Sequence, residues 1–156
     1  MNSRRGNLPL GYVSKAEFTS TNGSKIGPCK SNISAKCFEV ADNLKGDLAR
    51  NFFYLSMAYR DKWTCCDDVG VNKWYLKQWM ENDLRAWHAG DPVDALEKER
   101  NEKIYTNWQK NRNPFVDHPE WLSQIKTFGD STDAQMKRSR SPSSSSLEPA
   151  SKKARN

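Results

Sequence analysis

The aromatic side chains of this 156-residue chain all precede residue 129, and this distribution limits the part of the chain that can fold. The six Trp, five Tyr and six Phe end at Phe128, whereas residues 131–156 contain none. Aromatic side chains bury more area than most others and dominate a core of this size. The sequence therefore predicts one domain over residues 1–130 and a disordered tail over residues 131–156.

The predicted tail is basic and rich in Ser and Pro. It holds six basic residues against two acidic ones, which is +4 of the net charge of +6, so the net charge says little about the surface of the folded part. Its two basic clusters, Lys137–Arg140 and Lys152–Arg155, allow two interpretations. One is a solvated disordered segment, and the other is a bipartite nuclear-import signal that binds an import receptor.

The N-terminal quarter of the sequence is predicted to be irregular. Residues 1–37 are rich in Gly, Ser, Asn and Thr, with one or two short strands such as Tyr12–Phe18 and a turn at Asn22-Gly23. Residues 1–11 lack the apolar segment of a signal peptide. The sequence contains no run of about 18 apolar residues that would predict a membrane span, so we expect no membrane contact. We also expect a monomer.

The four cysteines fit two disulfides in an oxidising compartment or four free thiols in a reducing one. Cys29 and Cys37 flank a short polar loop that a disulfide would close. The adjacent Cys65 and Cys66 rarely bond to each other because the ring is strained. A four-cysteine zinc site is disfavoured, since paired zinc ligands are usually two to four residues apart.

Apolar periodicity predicts a first helix, which begins at a cap on Asp42 or Asn43 and ends near Arg60. Asp47 lies in its first turn, where a negative charge suits the helix dipole. Steps of three and four residues place the following side chains on one face: Leu48, Phe52, Leu55 and Tyr59, broadened by Phe53 and Met57.

A second helix is predicted from about Lys73, after a cap on Asn72, to Ala89, with Gly90 as the residue that follows it. Its apolar face comprises Leu76, Trp79, Met80, Leu84 and Trp87. A third helix is predicted from Pro92 to about Lys110. The side chains on its shared face are Val93, Leu96, Arg100, Ile104 and Trp108. Arg100 interrupts that face and needs an acidic partner, such as Glu97, Glu99 or a residue elsewhere.

Six segments match, in order, the sequence pattern of one enzyme family. They are Asn2–Gly11, Asn22–Cys29, Cys37–Asp42, Lys45–Leu55, Asp91–Ile104 and Gln109–Glu120, where Lys110 replaces the glycine of the pattern. Through these segments the chain resembles the C-terminal portion of endonuclease I, a family of secreted or periplasmic nucleases. The resemblance covers residues 2 to about 122 and does not extend to the tail.

The resemblance implies an α+β fold in which a ββα-metal (His-Me finger) motif hydrolyses phosphodiester bonds of DNA or RNA with Mg²⁺ or another divalent cation. In that family a Glu-His pair and a later His-Asn-Leu segment hold the metal and activate water. Neither segment occurs in this sequence. We therefore expect no catalytic residue, no metal ligand and no bound metal in this chain, and no activity of the chain alone.

The part of the fold present would then be mostly helical, with about three main helices, an irregular N-terminal segment and the disordered tail. An alternative is a non-catalytic remnant of the family that binds nucleic acid or protein and is directed to the nucleus. The compartment stays open, because the resemblance implies export and the tail favours the nucleus.

The resemblance also suggests roles for individual residues. Arg4, Arg5 and Asn7 would contact nucleic acid. The structural motif of the family falls on Arg50, Glu97, Arg100, Gln109, Asn111, Arg112, Asn113 and His118. We expect Arg50 to form a buried ion pair near Glu97 and Arg100, and the polar residues of Gln109–Asn113 to hydrogen-bond the backbone of nearby loops.

The histidines and tryptophans favour structural roles. His88 is interpreted as a capping or surface residue at a helix C-terminus. His118 has the neighbours of a metal site in Asp117 and Glu120, but the resemblance makes it part of the fold. The tryptophans expected in the core are Trp74, Trp79, Trp87 and Trp108, which are not expected to form a base-stacking platform.

Overall fold

In a computed structural model of the chain, the described residues are 2–59, 71–72 and 75–129. They form a mixed α+β fold that is mostly helical, as expected. The strands are β1 (Phe18–Thr19), β2 (Lys25–Pro28), β3 (Lys36–Glu39), β4 (Val71–Asn72) and β5 (Tyr75–Leu76). The helices are α1 (Asn2–Arg5), α2 (Lys45–Ala58), α3 (Gln78–Gly90), α4 (Ala95–Ile104) and α5 (Pro114–Asp117). The predicted tail and the pair Cys65-Cys66 lie outside the described residues.

The first three strands form an antiparallel sheet in the order β1-β2-β3, and Ile26 is paired with Phe18 on one side and Phe38 on the other. The predicted turn at Asn22-Gly23 is present, with Gly23 at φ +87°. The predicted strand Tyr12–Phe18 is wrong for most of its length. The Val13 amide donates to the Glu39 carboxylate (2.8 Å) instead of to the backbone of a neighbouring strand, so this segment forms no continuous ladder.

Of the two states that the sequence left open for Cys29 and Cys37, the structure has the disulfide, at the end of this sheet, with the two Cα atoms 5.0 Å apart. Both cysteines are fully buried. The disulfide joins the residue that follows β2 to β3, so it closes the polar loop between them. Whether the chain is exported or nuclear stays a prediction.

The face of α2 that its apolar spacing predicts is only partly buried: Leu48 and Phe52 pack against the core, but the most buried row lies beside them. The first row of buried side chains is Ala49, Phe53 and Ser56, whereas Tyr59 is 37% exposed and Met57 48% exposed. Small residues in the buried row let α2 pack closely against α3. Neither predicted cap is present, because a 3₁₀ turn precedes the helix and no side chain caps it. The predicted end at Arg60 lies outside the described residues.

Helix α3 begins five residues later than predicted. Tyr75–Leu76 pairs with Val71–Asn72 as a two-stranded ladder, so Asn72 belongs to a strand and caps no helix. Gly90 is the last helical residue and Asp91 follows it as the C-cap. The predicted apolar face is otherwise correct: Leu76, Met80, Leu84 and Trp87 are buried, and Trp79 packs against the core. Trp74 lies outside the described residues.

Helix α4 is shorter than predicted and buries a polar face. Its N-cap is Asp94, whose carboxylate accepts from the Glu97 amide (2.8 Å). The predicted apolar face is wrong, since Leu96 is 74% exposed and Trp108 is 77% exposed. Glu97 and Asn101 are buried instead. The physical reason is that α4 packs against the guanidinium of α2 and polar groups of the loop before α5.

Buried carboxylates attach irregular segments to the helices. Glu81 in α3 is fully buried and accepts from the Thr127 hydroxyl (2.8 Å), the Phe128 amide (3.0 Å) and Arg85 (2.9 Å). Asp83 accepts from the Tyr12 amide (3.1 Å). The last described segment and the N-terminal segment are thus both bound to α3. None of the described helices has the length and apolar character to cross a bilayer.

Gly46 should be required for the approach of α2 to the end of α3. A Cβ at this position would lie 2.0 Å from the Asp91 carbonyl oxygen, whereas a Cβ on Gly90 meets nothing within 4 Å. We expect Gly46→Ala to lower the free energy of unfolding by about 1–3 kcal/mol through overpacking. The matched variant Gly90→Ala should be neutral or stabilising by up to ~1 kcal/mol. Urea unfolding of both variants measures the difference, and equal stabilities would contradict the close approach.

Candidate functional site

The residues that match the family pattern converge on Arg50 of α2. Its guanidinium is fully buried and donates to both carboxylate oxygens of Glu97, from Nε at 2.8 Å and from Nη2 at 2.6 Å. Nη1 donates to the Asp91 carbonyl oxygen (2.9 Å) and lies 3.2 Å from Nδ1 of His88. The ion pair expected between Arg50 and the Glu97 region is therefore present, and it joins α2, α3 and α4.

Arg100 lies next to this pair but is not buried with it. Its side chain is 48% exposed and pairs with Asp47 of α2, which also lies 3.4 Å from Arg50. The partner is therefore neither Glu97 nor Glu99, the two candidates nearest in sequence. Asp47 bridges two guanidiniums, and α4 is bound to α2 at a second point.

Burial shifts the pKa values of two groups around Arg50, Glu97 and His88. Desolvation raises the pKa of Glu97 above its usual range, and the hydrogen bonds and charge of Arg50 oppose that effect. The pKa of His88 is lowered, first by burial and then by the charge of Arg50, against a hydrogen bond to the Pro119 backbone. His88 lies in the last turn of α3, as expected, but it is partly buried beside Arg50, and its lowered pKa favours the neutral imidazole.

The stretch Gln109–Glu120 is bound to Arg50 through asparagines. Nδ2 of Asn113 donates to the backbone oxygen of Arg50 (3.2 Å), and its Oδ1 caps α5 by accepting from the Phe115 amide (3.0 Å). Oδ1 of Asn101 accepts from the Asn113 amide (2.9 Å), and its Nδ2 donates to Asp117 (3.1 Å). For Asn113 the expected backbone bonding is confirmed.

The other polar residues of the stretch make different contacts from those expected. Arg112 forms a two-point ion pair with Asp117 at 2.8 and 3.0 Å and a second pair with Glu102, and its hydrogen bonds lower the pKa of Asp117. Asn111 donates to the hydroxyl of Tyr54. Among the described residues the side-chain amide of Gln109 has no hydrogen-bond partner.

Lys110 adopts the left-handed backbone conformation, with φ +57° and ψ +17°. It follows a π-helical turn over Tyr105–Gln109 that extends α4. The family pattern has glycine here, which adopts this conformation without a steric penalty. At this position, where the sequence departs from the family pattern, Lys110 therefore has a strained backbone in a loop that otherwise matches.

These elements enclose a cleft of about 310 Å³ between α2, α4 and the residues before α5. Its walls combine three kinds of group: side-chain amides, apolar or aromatic groups, and one charged residue from each of two ion pairs. The amides are those of Asn51, Asn101, Gln109, Asn111 and Asn113. The remaining lining residues are Tyr54, Leu55, Glu97, Arg100, Ile104 and Val116. Most of the residues assigned to the structural motif thus line one cleft.

The predicted nucleic-acid contacts lie at a separate groove. Arg4, Arg5 and Asn7 line it together with Lys36 of β3. The guanidinium of Arg4 lies 4.5 Å from the centre of the Phe18 ring, and that of Arg5 lies 5.5 Å from the Phe38 ring. Nε of Arg5 is buried without a hydrogen-bond partner. The groove therefore presents two guanidiniums held by aromatic rings.

The described residues do not fit a bound Mg²⁺ ion. They contain no group of three or more His, Cys, Asp or Glu side chains that would hold a metal. The nearest arrangement in sequence is Asp117, His118 and Glu120, where Asp117 is engaged by Arg112 and Asn101. His118 stacks on Trp121 at 4.3 Å, with Nδ1 3.3 Å from Glu120. No catalytic step is therefore assigned to a metal in this part of the chain.

A model of the endonuclease I family matches residues 1–120, the range that contains the Arg50 network, the cleft and the groove at Arg4 and Arg5. The chain belongs to the endonuclease I family. It is 34% identical over 130 residues to the extracellular ribonuclease of Bacillus subtilis (strain 168) and 35% identical over 130 residues to that of Bacillus amyloliquefaciens. Each match covers 80% of this chain and 42% of the relative, so the chain spans less than half the length of these curated relatives. No solved structure matches the chain.

Within this endonuclease I chain, sequence reasoning missed the residues of α2 that complete the cleft. Asn51 and Tyr54 lie there only because α2 rotates its Ala49-Phe53-Ser56 row into the core. Asp117 was also missed as the partner of Arg112. Its position five residues after an arginine, at the end of a Pro-initiated turn, was the signal available in the sequence.

Because the pKa of His88 is lowered in the folded state, the stability of the fold should depend on pH. The unfolded chain takes up a proton below about pH 6.5, whereas the folded chain resists it until a lower pH, so stability falls as the pH drops below about 6.5. We expect His88→Gln, which keeps the hydrogen-bonding capacity, to lose less stability than the parent between pH 7 and pH 5. Urea unfolding at several pH values measures this, and parallel curves for the two proteins would contradict it.

Proposed function

We propose that this chain is part of a nuclease that hydrolyses phosphodiester bonds of nucleic acid, with a divalent cation held by residues outside the described part. Membership of the endonuclease I family supports the reaction class. The names of two relatives, both extracellular ribonucleases, support RNA as one substrate. In this proposal the described residues supply the scaffold and substrate contacts.

The observation that carries the substrate contact is the pair of guanidiniums at the N-terminal groove. Neither Arg4 nor Arg5 makes an ion pair with a described residue, in contrast to Arg50, Arg100 and Arg112. Arginine donates paired hydrogen bonds to phosphate oxygens, and such contacts fix the position of a strand without reading its bases. The Nε of Arg5 is buried without a hydrogen-bond partner among the described residues, and an ordered water would satisfy it.

Removing either guanidinium should weaken binding to nucleic acid and make it less dependent on salt. The slope of log K against log [salt] is negative, and we expect Arg4→Ala and Arg5→Ala each to reduce its magnitude by about 0.9 for each duplex phosphate that the variant no longer neutralises. Lys98→Ala removes an equal charge from the exposed side of α4 and should leave the slope unchanged. Fluorescence anisotropy with a labelled duplex at several salt concentrations measures these slopes.

Deleting residues 131–156 in the same assay tests the alternative function. Binding that disappears with the tail and is unaffected by Arg4→Ala would favour a remnant that binds through its tail. Binding that survives the deletion and retains its dependence on Arg4 and Arg5 would favour the groove.

A chimera should test the reaction itself. We expect that this chain, placed in the Bacillus subtilis extracellular ribonuclease in exchange for the matching 130 residues, supports degradation of RNA, because it supplies an equivalent scaffold. The 156-residue chain alone should not cleave, since it lacks the Glu-His and His-Asn-Leu segments of the family. Release of RNA fragments measures both outcomes. A chimera that folds, as judged by circular dichroism and cooperative unfolding, yet leaves RNA intact would contradict the proposal.

A further inference from the structure

The cleft between α2, α4 and the loop before α5 has the chemistry of a site for a planar heterocycle. Leu55, Ile104 and Val116 supply apolar surface, and side-chain amides supply both donors and acceptors. Small-molecule sites combine an apolar lining with a few polar groups in this way, in cavities of roughly 300 Å³ or more. A nucleobase has the same combination, with apolar faces and polar edges.

Two amides of the cleft remain available for a ligand. Gln109 has no hydrogen-bond partner among the described residues, so its oxygen and both N–H groups are free. Asn111 uses only Nδ2, towards the Tyr54 hydroxyl, and its carbonyl oxygen accepts from no donor in the described part of the chain. Paired donor and acceptor groups of Gln or Asn are the usual means of recognising adenine along one edge. The cleft therefore holds groups suited to reading a base.

The electrostatics of the cleft also suit a nucleic-acid strand. Glu97 is its only carboxylate among the described lining residues, and Arg50 binds both of its oxygens. Arg100 is half exposed at the same wall and retains donors beyond its contact with Asp47. The cleft therefore presents no uncompensated negative charge that would repel a phosphate next to the bound base.

Exposed aromatic side chains occur in the π-helical turn that leads into the cleft wall. Trp108 is 77% exposed and Tyr105 is 42% exposed, and Trp108 directly precedes Gln109. Exposed aromatic side chains are the groups on which unpaired bases stack in proteins that bind single strands. This observation reverses the expectation that Trp108 belongs to the core.

We propose that this cleft binds an unpaired base of a single-stranded nucleic acid, with Gln109 and Asn111 on its edge and Trp108 stacked on a neighbouring base. The inference rests on the proposed function, whose substrate it specifies as single-stranded. A base within a duplex is stacked and paired, so it does not enter a side cleft unless it leaves the helix.

Binding of labelled octanucleotides tests the proposal in the full chain. The probes are single-stranded RNA, single-stranded DNA of the same sequence and the corresponding duplex DNA. We expect Trp108→Ala and Gln109→Ala to raise the Kd for a single strand by roughly 5- to 100-fold. The Kd for the duplex should not change. Leu96→Ala is the matched control, because Leu96 is 74% exposed on the same helix and does not line the cleft.

A second readout separates recognition of a base from a general loss of structure. Gln109→Ala should also reduce the difference in Kd between homopolymers of adenine and of uracil, which a purely structural change would not do. Single-stranded RNA should quench the fluorescence of the parent protein more than that of Trp108→Ala.

The outcomes distinguish failure of this site from failure of the proposed function. Equal decreases in affinity for single strands and duplex, or no decrease for either, would overturn the base site while leaving Arg4 and Arg5 as backbone contacts. Absence of binding to any probe at low salt would overturn both. Decreases confined to RNA, or shared by RNA and DNA single strands, would each support the site and show whether the 2′-hydroxyl contributes.

Discussion

A single buried charge, the guanidinium of Arg50, determines how the helices of this chain are arranged. A buried charge is tolerated only when its hydrogen-bonding groups are satisfied, and here Glu97, Asp91 and His88 surround it within 3.2 Å. His88 and Asp91 lie at the C-terminal end of α3, and Glu97 lies in the first turn of α4. Removing one partner from such a pair typically costs about 3–5 kcal/mol, because the other charge stays buried. The relative positions of α2, α3 and α4 are therefore coupled.

The same charge explains why the loop motif of the family has its composition. The backbone oxygen of Arg50 accepts from Asn113, and Asn113 is held in turn by Asn101 of α4. Asn101 also contacts Asp117, which Arg112 engages from the other side. Asn113, Asp117 and Arg112 of this motif thus form, through Asn101, a hydrogen-bonded path from α2 to the surface. Phe115 and Pro114 fit the same account, since they anchor and start the short helix that presents Asp117.

Sequence reasoning predicted the parts that depend on local chemistry or on one strong partner. The Asn22-Gly23 turn and the pairing of Arg50 with Glu97 are of this kind, whereas the sequence left the state of Cys29 and Cys37 open. It failed for α4, because periodicity assumes that the buried face is the apolar one. A helix whose neighbour presents a guanidinium instead buries a carboxylate, and the spacing of apolar residues does not reveal that neighbour. The candidate site was likewise predictable in the residues Gln109–Asn113 but not in its shape. The cleft needs Asn51 and Tyr54, and their placement follows from the face of α2 that its small residues allow to be buried.

The N-terminal groove and the cleft differ in the kind of interaction that each offers to a bound strand. Arg4 and Arg5 offer charge without a carboxylate partner among the described residues, so their contribution falls as salt rises. In the cleft the carboxylate of Glu97 is bound by Arg50 behind it, the guanidinium of Arg100 pairs with Asp47, and the available groups are neutral amides. Neutral hydrogen bonds distinguish bases and depend little on ionic strength. Affinity and selectivity are thereby assigned to different surfaces of one small domain. A carboxylate engages the arginine at the cleft, whereas Arg4 and Arg5 at the N-terminal groove have no carboxylate partner among the described residues.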